Sequence, residues 1–196
     1  MKYIANAISI LSNPFLLLIP APFLLVYRVS HDSAYAFYWA LISLIFFGFI
    51  GMFILYEVKK GTFSDVDVSR REQRPFLFLA IGIAVVMYLL ILIILNGPVI
   101  LYLAAFGFIL GIFFITVINR KIKASIHVAT ITALLLIFGF LYGVQPIFFL
   151  LIPVIGWSRV VIKRHTVSEV IVGSIIGGGL TLLMYGVVKI AFQVNL

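Results

Sequence analysis

Residues 76–118 read FLFLAIGIAVVMYLLILIIL, then NGP, then VILYLAAFGFILGIFFITVI. Neither apolar run holds a charged residue, and each matches the roughly 20 residues a helix needs to cross the hydrocarbon core of a bilayer. Asn96-Gly97-Pro98 between them is a short uncharged turn. The stretch predicts two membrane helices joined as a tight hairpin. In lipid a helix satisfies its own backbone and can present Leu, Ile, Val and Phe in every direction, which no water-soluble core can absorb.

The same criterion applied outward finds five more segments, so the series is Ile8 to Val29, Tyr35 to Tyr56, Phe76 to Leu95, Val99 to Ile118, His127 to Tyr142, Ile147 to Ile162 and Val167 to Ile190. Gly143-Val144-Gln145-Pro146 joins the fifth and sixth as a second uncharged turn. Of the 196 residues, 64% are hydrophobic and 10% charged, and the mean hydropathy is +1.28. The expectation is an all-α, polytopic transmembrane bundle of seven helices forming a single domain over residues 1–196. The number is six if the first segment, interrupted by Pro14, Pro20 and Pro22, or the short sixth only partly crosses. Met1 to Ser12 lacks a small-residue cleavage site and reads as part of the first span, not as a removable signal peptide. Cysteine is absent, which removes disulfides, thiolate zinc sites and a cysteine nucleophile.

The formal charge is +8. The hairpin pattern puts three polar loops, residues 57–75, 119–126 and 158–166, on one side of the bilayer. With Lys2 they carry twelve of the 14 Lys and Arg residues, against Arg28 and Lys189 on the other side. That bias marks the loop side as cytoplasmic, although cations kept for chemistry would give the same count. Nucleic acid is disfavoured as a partner because the basic residues are divided among short loops; the bilayer and its anionic head groups are the natural ones.

The chemistry-bearing residues lie in these loops. His165 and Glu169 are four apart, so on a helix the carboxylate can bond one imidazole nitrogen and leave the other free to attack. With Arg159, Lys163 and Arg164 nearby, this suits a nucleophile for an anionic phosphorus centre; the plainer reading is an interfacial His with snorkelling cations. In the second loop, Lys123, Ser125 and His127 stand at a helix start, where amides and a hydroxyl can hold a phosphate oxygen and an imidazole can protonate a leaving alkoxide. The first loop ends on Arg70-Arg71-Glu72-Gln73-Arg74-Pro75, with Pro75 placed to open a helix and Arg74 to clamp a phosphate. Asp65 and Asp67 are either salt-bridge partners of Arg70 and Arg71 or ligands of a divalent cation. Gly173, Gly177, Gly178 and Gly179 on the last helix are expected to serve close helix packing.

Together these residues resemble the three signatures of the phosphatidic acid phosphatase type 2 superfamily: Lys, six residues, Arg-Pro; Pro-Ser-Gly-His; and Ser-Arg, five residues, His, three residues, Asp. The third matches at Ser158, Arg159 and His165, followed by Val170 and Gly173, with Glu169 replacing Asp. Asp67 stands where the family has Lys, and Ala124 and Ile126 replace the Pro and Gly around Ser125. The resemblance implies a haloperoxidase-like helical core over about 58–190 and a metal-independent, cofactor-free lipid phosphatase. It further implies His165 as the nucleophile forming a phosphohistidine, Glu169 as its orienting carboxylate, His127 as general acid, and Arg74, Ser125 and Arg159 as phosphate-binding residues. Arg70, Arg71 or Lys123 would stand in for the missing first-motif Lys. Substrates would be phosphatidate, phosphatidylglycerol phosphate or a polyprenyl diphosphate. Two alternatives are a lipid-phosphate binder or transporter of the same fold, and a magnesium-dependent prenyltransferase using Asp65 and Asp67.

Overall fold

The computed structural model describes residues 1–192, and every regular element among them is helical. The α-helices are α1 (Lys2–Leu11), α2 (Pro14–Leu18), α3 (Ala21–Ser30), α4 (Ser33–Lys60), α5 (Arg74–Ile94), α6 (Val99–Asn119), α7 (Ile126–Tyr142), α8 (Leu151–Val161) and α9 (Val167–Phe192). Single 3-10 turns, Arg71–Gln73 and Pro146–Leu150, lead into α5 and α8.

Four helical stretches are long and apolar enough to cross a membrane: Ser33–Lys60, Arg71–Ile94, Val99–Asn119 and Val167–Ile190. The broken pair Lys2–Leu18 and Ala21–Ser30 makes a fifth if taken as one span. Protein buries only 11 to 28% of the most apolar window in each of the four, so lipid is the natural solvent for the remainder. This is the composition of an integral membrane protein. The expected first span breaks into α1, α2 and α3 because Pro14 and Pro20 supply no N–H to continue a helix. Four or five of the expected six or seven passes meet the span criterion; Ile126–Tyr142 and Pro146–Val161 are apolar but shorter. At 17 residues α7 rises only about 25 Å. Its burial explains why it can be short: His127, Val128, Ala129, Ile131, Thr132, Leu134, Leu135 and Leu141 all face protein.

The helices gather into two compact units, Leu18–Thr116 and Met1–Leu17 with the chain from Val117 onward. In the first, Val26, Ala36, Trp39, Leu92 and Leu101 form the core. The Ser43 hydroxyl bonds the Trp39 carbonyl at 2.8 Å and the Tyr88 hydroxyl at 2.7 Å, tying α4 to α5. The short turn expected between α5 and α6 is present. Asn96 takes a left-handed φ of 53°, and the Gly97 N–H reaches back to the Leu92 carbonyl at 2.7 Å. A Cβ at Gly97 would lie 2.5 Å from Leu92 Cδ2 and 3.0 Å from the Trp39 ring, so a larger residue would displace the Leu92 side chain.

In the second unit, Val128, Ile131 and Leu135 of α7 pack with Ile155 of α8, and Ile8, Leu17 and Val170 close around them. The axis of this unit is the contact of α7 with α9. A Cβ at Gly177 would stand 2.1 Å from the Ala129 carbonyl oxygen, and one at Gly173 would stand 2.5 Å from that of Ser125. These two glycines serve close packing as expected. Gly178 meets only ordinary contacts, and Gly179 faces open space, so the packing role belongs to two of the four.

Candidate functional site

Three local structures in the second unit position the candidate residues. The first is the end of α8. Lys163 adopts a φ of 60°, its N–H bonds the Val160 carbonyl at 2.9 Å, and the Arg164 N–H bonds the Arg159 carbonyl at 3.0 Å. This paired arrangement is a Schellman turn, with lysine where glycine is favoured. Its consequence is the five-residue spacing between Arg159 and His165, because the turn folds the His165 N–H back onto the Arg159 carbonyl at 3.2 Å.

The second is the start of α9. The Glu169 N–H donates to the Thr166 hydroxyl at 3.3 Å, and the Thr166 N–H donates to Glu169 Oε2 at 3.2 Å. This reciprocal pair is a capping box. The same Oε2 lies 2.9 Å from His165 Nδ1. A carboxylate can only accept, so Nδ1 carries a proton, and in the neutral ring Nε2 keeps its lone pair. The added methylene of Glu169 therefore does not hold His165 at a distance; it lets one carboxylate serve both the helix cap and the imidazole.

The third is the start of α7. Ser125 is fully buried, its N–H donates to the Glu169 carbonyl at 3.0 Å, and its hydroxyl has no hydrogen-bond partner. His127, two residues on, is buried as well, with Nε2 3.4 Å from Arg159 Nη1. A guanidinium only donates, so His127 Nε2 is the acceptor in this arrangement and its proton sits on Nδ1. Arg159 Nη1 also donates to the Ser9 hydroxyl of α1. Arg159 thus touches both histidines, His127 through its side chain and His165 through its carbonyl.

A depression of about 440 Å³ opens beside His165, lined by Lys123, Val160, Lys163, Arg164, Thr166 and Glu169. Lys123 Nζ donates to the Arg164 carbonyl at 2.9 Å, which ties the second loop to the third. His165, Glu169, His127, Ser125, Arg159 and Lys123 are thereby brought together at one end of this unit. Arg71 and Arg74 belong to the other unit. Arg74 begins α5 with Pro75 in its first turn, as expected, and is buried, its Nε 3.4 Å from the Val68 carbonyl oxygen. Arg71 opens the preceding 3-10 turn and is half-buried.

Asp65 organises its own loop, accepting from the Ser64 hydroxyl at 2.9 Å, the Asp67 N–H at 3.0 Å and the Ser69 hydroxyl at 2.9 Å. Among the described residues no three His, Asp or Glu side chains gather closely enough to hold a metal ion. Two residues of the site lie outside the sequence reading. Thr166 carries a local signal, the Thr-x-x-Glu spacing of a capping box; Ser9 carries none. Comparison with family models, with curated proteins and with solved structures returned no match to this chain.

Proposed function

We propose that this protein is an integral-membrane lipid phosphatase that cleaves a phosphomonoester or diphosphate through a phosphohistidine, on a core like that of the phosphatidic acid phosphatase type 2 superfamily. The observation that carries the reading is the position of Arg159 between the two histidines, 3.4 Å from His127 Nε2 and hydrogen-bonded through its carbonyl to the His165 N–H.

The chemistry follows from the proton positions. His165 Nε2 attacks phosphorus while Glu169 holds Nδ1–H and stabilises the imidazolium that forms. The bond from phosphorus to the lipid oxygen breaks, and that oxygen leaves with a proton from His127. Water then attacks the phosphohistidine, giving a proton to His127 as the bond from phosphorus to His165 Nε2 breaks, and inorganic phosphate departs. A phosphoryl oxygen is a stronger acceptor than an imidazole. Its arrival draws on Arg159 and frees His127 Nε2 to take up a proton from the incoming phosphate monoanion or from solvent, and that proton passes to the leaving oxygen. The unpartnered hydroxyl of Ser125 suits a phosphoryl oxygen, since a buried hydroxyl left unbonded costs free energy until something occupies it. Lys123, Lys163 and Arg164 on the depression offset the negative charge of the transition state.

In this reading the head group enters the depression while its tail stays in the bilayer, and the shorter helices α7 and α8 count among six or seven membrane passes. The charge bias of the loops favours a site facing the cytoplasm. Purified full-length protein in detergent containing EDTA is expected to release inorganic phosphate from at least one of phosphatidate, phosphatidylglycerol phosphate or a polyprenyl diphosphate. His165→Ala is expected to abolish release. Full turnover by that variant, or a strict need for magnesium, would overturn the assignment.

A further inference from the structure

The first helix supplies a residue to this site that no motif announces. α1 turns Ala5, Ser9 and Ser12 inward, at 0%, 5% and 4% exposure. That spacing of four and three is one helical face, and its small side chains let α1 lie close against α8. Two of the three are hydroxyls, and they have different duties. Ser12 donates to the carbonyl of Ser9, 3.3 Å away within its own helix. The Ser9 hydroxyl instead accepts from Arg159 Nη1, the same nitrogen that faces His127 Nε2.

We propose that Ser9 is a positioning residue: its hydroxyl fixes the Arg159 guanidinium against His127, so that α1 is a working part of the site. Arg159 is 2% exposed and must find acceptors for its N–H groups inside the protein. The Ser9 hydroxyl satisfies one of them. Holding Nη1 on two sides also sets the rotation of the guanidinium plane, on which bidentate recognition of a phosphoryl group depends. Ser9 itself does not touch the reacting atoms; it acts through Arg159.

The catalytic part of this proposal rests on the phosphatase reading, whereas its geometric part does not, and the experiment separates the two. The 196-residue chain has three histidines, His31, His127 and His165. With ring nitrogens labelled with ¹⁵N, Ser9→Ala is expected to displace the Nε2 resonance of His127, assigned by its loss in His127→Gln, and to leave those of His31 and His165 in place. In phosphate release, Ser9→Ala is expected to lower kcat about tenfold, the scale of one hydrogen bond to a charged group, with KM within about twofold. Ser12→Ala, which removes a hydroxyl from the same buried face, is expected to keep wild-type kcat. In an Arg159→Lys background, Ser9→Ala is expected to add less than about twofold, because the two residues act as one unit. An unmoved His127 resonance overturns the proposal whether or not the wild-type chain is a phosphatase. A full additional loss in the Arg159→Lys background overturns it as well. Absence of phosphate release by the wild type, with the His127 shift present, overturns the phosphatase reading alone.

Discussion

Glu169 Oε2 stands 2.9 Å from His165 Nδ1 and 3.2 Å from the backbone N–H of Thr166, so one carboxylate oxygen both starts α9 and fixes the tautomer of the imidazole. Glu169→Ala removes both functions. Phosphate release is expected to fall at least about a hundredfold, as when an orienting carboxylate is lost from a catalytic histidine, and stability by about 1 kcal/mol for the cap. Thr166→Val removes only the hydroxyl half of the box, so thermal unfolding should shift by a similar amount while turnover stays within a few fold. Equal turnover losses in the two variants would show that the carboxylate acts only as a cap.

Ser125→Ala deletes a buried hydroxyl that has no hydrogen-bond partner. Stability in detergent is expected to be unchanged or slightly higher, because an unsatisfied buried group costs about 1–3 kcal/mol. Affinity for inorganic phosphate is expected to fall about tenfold, the scale of one bond to a charged ligand. A thermal scan with and without phosphate reads both quantities; a variant that loses stability and keeps affinity would contradict the role given to Ser125.

Lys163 holds a φ of 60° at the end of α8, a conformation that costs a residue with a Cβ roughly 1–2 kcal/mol. Lys163→Gly is expected to raise the unfolding free energy by about 1 kcal/mol and, by removing a cation from the depression, to raise KM. A lower melting temperature for this variant would mean that the lysine side chain contributes more to folding than its backbone costs.

Gly177→Ala places a methyl 2.1 Å from the Ala129 carbonyl, and backbone must move to admit it. It is expected to destabilise the protein by about 1–3 kcal/mol. Gly179→Ala meets open space and should be neutral or stabilising by up to about 1 kcal/mol. Melting temperatures of the two variants, two residues apart on one helix, test whether α7 and α9 touch where described.

The helices were legible because long apolar runs with few charges leave no other solution. Val99 to Ile118 and Val167 to Ile190 fall within α6 and α9, and His127 to Tyr142 begins one residue inside α7. The proline-rich first segment was legible as interrupted, but its breaks at Ser12-Asn13 and Ile19-Pro20 depend on which carbonyls the prolines fail to reach. The pairing of His165 with Glu169 followed from helical spacing, since both ends belong to one turn. Thr166 was equally local and carried a known spacing. Ser9 was beyond reach, because it meets Arg159 across 150 positions and looks like any serine in an apolar helix. Expected membrane passes exceeded those that meet the length criterion because hydropathy does not distinguish a helix wrapped by lipid from one, such as α7, wrapped largely by its neighbours.

The close approach at Gly173 has a wider implication. The Ser125 backbone is seated on α9, its N–H on the Glu169 carbonyl and its own carbonyl oxygen within 2.5 Å of where a Gly173 Cβ would stand. The segments bearing the two histidines are thus keyed together, and neither can slide by a residue without disturbing the other. Variation that adapts the protein to a new head group would therefore be confined to the rim, where Lys163 and Arg164 can be exchanged without dislodging the machinery behind them.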